Sequence, residues 1–215
     1  MQGIDCTNPA TNEFACLQHN GQQFVIRYIS GNTHNFPQKN LTREEGLALS
    51  QNGILLGAVW ENLPADDDAK LQHFDFDIGM ADARAAHDYM ANVLQAPKGA
   101  CIYFAIDRDT TDKQDKTIFA AYYSGVRYAL KELGSGYTVG TYSGGATIQY
   151  LRDRKLIDFG WLTLSTGFRG SKGFTAYDIK QFQEKTVCGL DADTNEAKTS
   201  AGLFQLSAVE TPVLA

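Results

Sequence analysis

Residues 100–109 read ACIYFAIDRD, an apolar run that ends in two carboxylates. Continuous apolarity indicates a strand that is buried on both faces, as in a parallel sheet covered by helices. A long helical pattern follows, in which apolar residues recur three or four positions apart from Ile118 to Leu133 and Gly134 marks the end. The strand and the helix together predict one βα unit.

Shorter versions of this unit recur along the whole chain. A capping box at Thr42 and Glu45 predicts a second helix, which ends at Asn52 and Gly53. Strands that alternate with helices are typical of βαβ units, and eight of them predict an α/β fold, a TIM-like (β/α) barrel. The predicted strands are residues 4–6, 24–29, 54–60, 100–106, 137–142, 160–164, 177–182 and a last short one near Leu190.

The size and composition of the chain favour a single globular domain. It has 215 residues, of which 43% are hydrophobic and 20% are charged, as in ordinary globular proteins. We assign the barrel to residues 1–207 and a frayed carboxyl-terminal tail to residues 208–215. The acidic stretch 62–79 is predicted to be a loop on the active face of the barrel.

The charge of the chain limits its partners. A formal net charge of −6 disfavours binding to nucleic acid, which depends on Lys and Arg that neutralise phosphates. No apolar run approaches the ~20 residues of a membrane helix, and no secretory signal peptide is visible. The protein is therefore predicted to be cytoplasmic as synthesised, and any export would use a signal-independent route, such as a secretion apparatus or a phage lysis system.

The metal-binding residue types show no ligand spacing. The four histidines are scattered, and the four cysteines lack the paired short spacing of a zinc site, so neither a metal nor a cofactor is predicted. Two interpretations of the cysteines stay open. Either Cys6, Cys16, Cys101 and Cys188 are all buried thiols, or a disulfide joins Cys6 to Cys16.

Carboxylates gather where the predicted strands end. Asp5, Glu61 and Asp191 end the first, third and last strands, while Asp107 and Asp109 end the fourth. The carboxyl ends of barrel strands form the face where active sites lie, and glycoside hydrolysis typically needs two carboxyl groups. Asp107 and Asp109 are two residues apart on an extended segment and should point to one side, although Asp109 can equally cap the next helix. Asp5, Glu61, Asp107 and Asp109 are the predicted catalytic residues.

The predicted binding residues are aromatic or polar. Arg27 lies inside an apolar strand and needs a carboxylate partner, expected on the first or third strand, so both structural pairing and a role in the site stay open. Aromatic rings at the strand ends suit the flat faces of sugars, with ordinary packing as the alternative. The predicted substrate-binding residues are Arg27, Tyr28, Trp60, Tyr142, Trp161, Gln181 and Asp191.

Several segments together resemble a known family. In chain order, the sequence is similar to the glycoside-hydrolase-like domain of unknown function 1906 over nearly its whole length. The segments that carry this resemblance are Gly3-Ile4-Asp5, Val25-Ile26-Arg27-Tyr28, Trp60-Glu61, Gly79 with Asp82-Ala83 and Ala86, residues 102–109, residues 139–143, Trp161-Leu162, Gln181-Phe182-Gln183 and Gly189-Leu190-Asp191.

The resemblance extends to the family 25 lysozymes, barrels that cut the glycan strands of peptidoglycan. In those enzymes the fourth strand ends in an Asp-x-Glu pair whose Glu is the catalytic acid. Asp107 and Asp109 stand at the matching positions here. The second residue is therefore shorter by one methylene group, about 1.5 Å, and Glu61 on the neighbouring strand is the alternative acid.

The resemblance thus implies an enzyme that cleaves O-glycosidic bonds of a bacterial cell-wall glycan. Glu61 or Asp109 would be the acid and Asp107 the base or stabiliser, while Asp5 and Asp191 would shape the pocket. The alternative is a barrel that binds a glycan or a protein partner without cutting it, which the departure at Asp109 favours.

Overall fold

A computed structural model describes residues 1–29, 37–62, 74–110 and 113–208. Eight strands close into a barrel in the order of the chain, which confirms the predicted TIM-like α/β fold. The strands are β1 Gln2–Cys6, β2 Phe24–Tyr28, β3 Leu55–Trp60, β4 Cys101–Ala105, β5 Thr138–Ser143, β6 Phe159–Leu162, β7 Ile179–Val187 and β8 Leu190–Ala197.

Helices cover the barrel on the side of the first six strands. They are α1 Phe14–His19, α2 Arg43–Gln51, α3 Phe76–Asp88, α4 Lys113–Glu132 and α5 Gly145–Asp153, with a 3-10 turn at Pro37–Lys39 and a π-helical turn at Tyr89–Leu94. Residues 163–178, between β6 and β7, contain no helix. In the part of the chain that the structure describes, no helix is both long and apolar enough to cross a membrane.

The last strand differs from the prediction. Neighbouring strands from β1 to β7 are parallel, but β8 runs antiparallel to both β7 and β1. A tight turn at Cys188 and Gly189, both with positive φ, joins β7 to β8. A two-residue connection can join only antiparallel strands. The sequence of β8 is polar, LDADTNEA, so no apolar run revealed the length of this strand.

Helix α3 begins inside the stretch predicted to be a loop. Residues 63–73 of that stretch lie outside the described residues, as do residues 209–215 of the predicted tail. Asp75 caps α3, because its Oδ1 accepts hydrogen bonds from the backbone N–H groups of Asp77 at 3.0 Å and Ile78 at 3.2 Å. An Asp at this position satisfies backbone donors that the first turn leaves free.

Two apolar layers follow from the alternation of side chains along the strands. Inward residues such as Ile26, Tyr103 and Trp161 fill the barrel, while outward residues pack against the helices. The apolar face predicted for the long helix is confirmed through Leu130, but Leu133 lies beyond the end of α4 and is 43% exposed.

Arg27 points away from the barrel interior, towards α2. Its Nε donates to Oε1 of Glu45 at 2.9 Å, and both side chains are almost fully buried. Its other nitrogens donate to the backbone oxygens of Cys6 and Gln38. The expected partner on the first or third strand was therefore wrong. Because Tyr28 faces inward, Arg27 must face outward, and it takes no part in the barrel mouth.

Glu45 consequently has a different role from the one its position predicts. Thr42 caps α2 as expected, since its Oγ1 accepts from the Glu45 N–H at 3.1 Å. The Glu45 carboxylate instead accepts from Arg27 and from the backbone N–H of Ala10 at 2.8 Å. It therefore joins α2 to β2 and to the segment after β1.

We expect Glu45→Ala to lower the free energy of unfolding by about 3–5 kcal/mol, because it leaves the buried guanidinium without its partner. Glu132→Ala is the matched control. It breaks the Arg84–Glu132 pair, whose side chains are about half exposed, and should lower stability by less than about 1 kcal/mol. Urea denaturation of both variants measures the difference, and equal losses would contradict the structural importance of the buried pair.

The cysteines match neither of the two interpretations, because a disulfide is present, so that the four are not all thiols, and it does not join Cys6 to Cys16. Cys16 of α1 is bonded to Cys188 at the β7–β8 turn, across 172 residues of sequence. Cys6 and Cys101 are free and buried. The Cys6–Cys16 alternative was wrong, because closure of the barrel brings the β7–β8 turn beside α1. The bond fastens the hairpin to the helical side of the fold.

Replacing both disulfide cysteines by serine should lower the free energy of unfolding by about 2–4 kcal/mol, because the unfolded chain regains the freedom of a long loop. Calorimetry with and without a reductant tests this. Reductant should lower the Tm of the wild type but leave the Tm of the double variant unchanged. A wild-type Tm that is insensitive to complete reduction would contradict the expectation.

Candidate active site

A small cavity opens at the carboxyl ends of the strands. Its volume is about 50 Å³, enough for a few waters or one functional group, and below the roughly 300–1,000 Å³ of pockets that enclose drug-sized ligands. Most predicted site residues meet there. The lining residues are Asp5, Tyr28, Val59, Glu61, Ala105, Asp107, Tyr142, Trp161 and Gln181.

Strand alternation explains which side chains reach the cavity. Val59 and Glu61 lie on one side of β3 and its extension, and Ala105 and Asp107 lie on one side of β4 and its extension. The two smaller side chains come earlier in the chain, deeper in the barrel. The carboxyl groups of Glu61 and Asp107 therefore stand at the mouth above them.

Asp5 is the most buried carboxyl group of the cavity, with 8% of its surface exposed. Its Oδ2 accepts from Asn195 Nδ2 at 2.6 Å and from Gln181 Nε2 at 3.0 Å. Burial raises the pKa of Asp5 to about 7, and the negative charges of Asp193 and Glu61 add to the rise, while the two amide donors oppose it. Asp5 can therefore gain or lose a proton near neutral pH.

Gln181 uses its whole amide group to join four elements. Its Nε2 donates to Asp5 and, at 2.7 Å, to Oδ2 of Asp193. Its Oε1 accepts from the Tyr142 hydroxyl at 2.9 Å and from the Leu164 N–H at 3.1 Å. Because every polar position is taken, the amide has one possible orientation. Gln181 thus orients the carboxylates and does not present a free donor to the cavity.

Two aromatic residues extend this network. Trp161 Nε1 donates to Asn195 Oδ1 at 2.8 Å, which turns the Asn195 Nδ2 towards Asp5. The Tyr142 hydroxyl, which donates to Gln181, also lies 2.9 Å from Thr163 Oγ1 and must accept a hydrogen bond there. The two rings pack at 4.6 Å between centroids. The polar ends of both rings are therefore already paired, and their faces and edges are what remains for a ligand.

Glu61 and Asp107 are the carboxyl groups nearest the solvent. Burial raises the pKa of Glu61, the negative charge of Asp107 raises it further, and the positive charge of Lys39 opposes the shift. Partial burial also raises the pKa of Asp107, although its side chain is exposed. The charge of Asp107 thus favours the protonated form of Glu61.

Asp109 does not line the cavity. Strand β4 ends at Ala105, so the alternation that would align Asp109 with Asp107 does not continue. Oδ1 of Asp109 instead accepts from the backbone N–H of Arg169 at 2.7 Å, in the loop between β6 and β7. The expectation that both aspartates share one site therefore fails on geometry, and Asp109 ties two loops together.

Three further predicted residues lie away from the cavity. Trp60 faces outward into the layer between the barrel and the helices, because Glu61 next to it faces inward. Arg27 faces outward for the same reason. Asp191 is exposed at the start of β8 and does not end a strand as predicted, because β8 is antiparallel.

Two residues of the site were not predicted. Asp193 is the register partner of Asp5 across β8 and β1, and Asn195 is the register partner of Gln181 across β8 and β7. Burial raises the pKa of Asp193, and the charges of Glu184, Asp191 and Asp107 raise it further. The signal in the sequence was the alternate spacing of Asp191, Asp193 and Asn195, which is typical of one face of a strand.

A larger cavity, of about 730 Å³, lies at the opposite end of the barrel, beside the amino ends of β5 and β6. Its described lining includes Arg127, Lys131, Tyr128 and Tyr137 but no carboxylate. Size alone therefore does not mark the candidate site. The convergence of carboxyl groups at the smaller cavity does.

The raised pKa of Asp5 predicts a pH-dependent stability. The folded protein holds the Asp5 proton up to pH about 7, whereas an unfolded Asp loses it near its ordinary, lower pKa. The contribution of Asp5 to the free energy of unfolding should therefore fall as the pH rises through this interval. Asp5→Asn removes this contribution.

Urea denaturation of the wild type and Asp5→Asn at about pH 4.5 and about pH 7.5 tests the linkage. The free energy of unfolding of Asp5→Asn, compared with that of the wild type, should be larger at the higher pH than at the lower one. The surface variant Asp88→Asn controls for general effects of losing a carboxylate. A difference between wild type and Asp5→Asn that stays constant with pH would contradict a raised pKa.

Comparison with known proteins agrees with this architecture. Residues 15–208 match the sequence model of the family described as Rv2525c-like, glycoside hydrolase-like domain. The uncharacterized protein YbfG of Bacillus subtilis is 26% identical over an alignment of 201 residues that covers 86% of this chain. The matched chain spans only 27% of the length of YbfG.

Solved structures share the fold. The Tat-secreted protein Rv2525c of Mycobacterium tuberculosis, in complex with L-tartrate, has a TM-score of 0.75 at 21% identity, covering 94% of this chain and 98% of that one. An uncharacterized B. stearothermophilus protein has a TM-score of 0.65 at 18% identity, covering 95% and 100%.

A phage enzyme shows a more distant likeness. The catalytic domain of endolysin ply40, from bacteriophage P40 of Listeria monocytogenes, has a TM-score of 0.51 at 13% identity, covering 94% and 96% of the two chains. At these identities the structural likeness is one of fold alone. The family match over most of the sequence goes further, and the chain belongs to the Rv2525c-like family of glycoside hydrolase-like domains.

Proposed function

We propose that the protein hydrolyses O-glycosidic bonds of a bacterial cell-wall glycan, with peptidoglycan as the leading substrate. The observation that carries the proposal is the convergence of Asp5, Glu61 and Asp107, from three strands, on one cavity at the active face of the barrel. Glycoside hydrolysis uses two carboxyl groups in different protonation states. The environments of these three groups differ in burial and in neighbouring charge.

Glu61 is the proposed general acid. Burial and the negative charge of Asp107 both raise the pKa of Glu61, so it keeps its proton to higher pH than an ordinary Glu. Asp107, which is exposed, is the proposed base or nucleophile. Asp109 is left out of this assignment, because its carboxylate accepts from the Arg169 N–H outside the cavity.

Asp5 is proposed to shape the electrostatics of the cavity floor. Its Oδ2 is held by the amides of Gln181 and Asn195, so the carboxyl group has a fixed position. When ionised, it places a negative charge where the positive charge of an oxocarbenium-like transition state would develop. The tyrosine rings beside it, Tyr28 and Tyr142, offer apolar surface for the face of a sugar.

The proposed cell-wall substrate is supported by the family match, by the shared fold and by the disulfide. The family is described as glycoside hydrolase-like, and the fold is shared with a phage endolysin and with a Tat-secreted mycobacterial protein. The Cys16–Cys188 bond fits an oxidising compartment outside the cytoplasm, where disulfides persist. We therefore propose that the protein acts after export, at the cell wall.

A second function is favoured by two specific observations. The cavity of about 50 Å³ is small for a sugar ring, and Asp109, at the position of the acid in related lysozymes, is occupied by a loop contact. Both fit a barrel that binds a glycan or a protein partner without cleaving it. In that case, the acidic rim would recognise hydroxyl or cationic groups.

Release of reducing ends from purified peptidoglycan and from chitin-type oligomers distinguishes the two functions. Glu61→Gln and Asp107→Asn should each reduce the rate by about 10²–10⁴-fold, the usual contribution of a general acid or base. Asp109→Asn should cause a smaller loss. Glu132→Gln, an exposed change on α4, is the matched control and should retain wild-type activity.

Absence of release by the folded wild type on every glycan would contradict the hydrolase proposal. Retention of that inactive wild type on insoluble peptidoglycan, reduced in Tyr28→Ala, would then support the binding barrel.

A further inference from the structure

The residue after Glu61 contacts a buried carboxylate on α3. Asn62 Nδ2 donates to Asp82 Oδ1 at 2.9 Å. Asp82 is 5% exposed, and neither Asp82 nor Asn62 lines the cavity. Asn62 is therefore held outside the cavity while its neighbour Glu61 faces into it.

Glu61 needs such support because it lies beyond the sheet. The ladder between β3 and β4 ends at Trp60, opposite Phe104, and the ladder between β2 and β3 ends at Val59. Backbone pairing therefore stops before Glu61. The hydrogen bond from Asn62 to Asp82 fixes the chain one residue after Glu61.

Asp82 itself is held rigidly between two helices. Its Oδ2 accepts from the Tyr122 hydroxyl of α4 at 2.8 Å. The two helices approach closely, because a Cβ at Gly79 would lie 2.0 Å from the Tyr122 backbone oxygen, and one at Gly125 would lie 2.0 Å from the Phe76 backbone oxygen. Any larger residue at these glycines would push α3 and α4 apart and so disturb the contact between Asp82 and Tyr122.

The chemistry of the group suits a role as an anchor. A carboxylate is an acceptor only, and Asp82 accepts from Asn62 at one oxygen and from Tyr122 at the other. Burial raises the pKa of Asp82, and each of these donors opposes the rise. An isosteric amide has one acceptor oxygen instead of two, so it could accept from Asn62 only if the Tyr122 hydroxyl reversed its hydrogen bond and became the acceptor. The arrangement therefore suits the acid better than the amide.

We propose that Asp82 is a positioning residue, which holds the Glu61 carboxyl group at the mouth of the cavity through Asn62. Its effect on catalysis rests on the proposed hydrolase function, but its effect on the environment of Glu61 does not. Asp82, Ala83, Ala86 and Gly79 belong to the segment that carries the family resemblance, and the anchor gives this segment a role away from the cavity.

The experiment is a ¹³C NMR titration of the Glu61 carboxyl group in the wild type, Asp82→Asn and Asp88→Asn. Charged and titratable groups that influence Glu61 or are influenced by it are Asp5, Tyr28, Lys39 and Asp107, and all remain in each variant. In Asp82→Asn the midpoint of Glu61 should fall by about half a unit or more, because the released side chain moves towards water. Asp88 is exposed on the same helix, and its variant should leave the midpoint unchanged.

Asn62→Ala is the milder second variant and decides the matter if Asp82→Asn does not fold. It removes the contact after Glu61 and leaves α3 and α4 untouched, so the Glu61 midpoint should again fall. In a hydrolysis assay, kcat should fall more than KM rises for both variants. An unchanged Glu61 midpoint in folded Asp82→Asn would overturn the proposal. If Asp82→Asn does not fold, an unchanged midpoint in Asn62→Ala would overturn it.

The titration needs no substrate, so it remains informative if the wild type cleaves no glycan. A shifted midpoint together with an inactive wild type would support Asp82 as the positioning residue and count against the hydrolase. Normal hydrolysis by the wild type with an unshifted Glu61 midpoint in the variants would support the hydrolase and overturn the positioning role of Asp82.

Discussion

The buried carboxyl group of Asp5 is the constraint on which the barrel mouth depends. A charge or a polar group that leaves water is costly unless donors replace the water. Gln181 and Asn195 provide these donors from β7 and β8. The oxygens of these two amides then need donors of their own, which the Tyr142 hydroxyl supplies to Gln181 and the Trp161 indole supplies to Asn195.

The antiparallel hairpin of β7 and β8 positions Gln181 and Asn195 for these hydrogen bonds to Asp5. Closure of the barrel places β8 between β7 and β1, and the direction of β8 decides which of its residues meet those strands. Because β8 runs antiparallel, its register sets Asp193 opposite Asp5 and Asn195 opposite Gln181. Two carboxyl groups that face each other repel, and Gln181 donates to both. The Cys16–Cys188 bond fastens the end of the same hairpin.

What the sequence predicted well is what local pattern determines. The apolar run of β4 ends near Asp107 and that of β3 ends beside Glu61. One local pattern therefore predicted the two strands, their burial and the position of both carboxyl groups at the rim. Which side a residue faces is less certain from pattern, because a change of one position reverses it. The pattern predicts Arg27 and Trp60 in the site, whereas their neighbours Tyr28 and Glu61 are the residues that face inward. Long-range features, such as the pairing of Cys16 with Cys188 across 172 residues, depend on closure of the barrel and leave no local trace.

We propose that ligands bind at the acidic mouth and not at the larger cavity at the opposite end of the barrel. Chemical-shift mapping during titration with a chitin-type oligomer tests this most directly. We predict that the Trp161 indole N–H and the backbone amides of Val59 and Ala105 shift in a saturable way. Shifts confined to the cavity beside Tyr128 and Tyr137, with the mouth unchanged, would contradict the account.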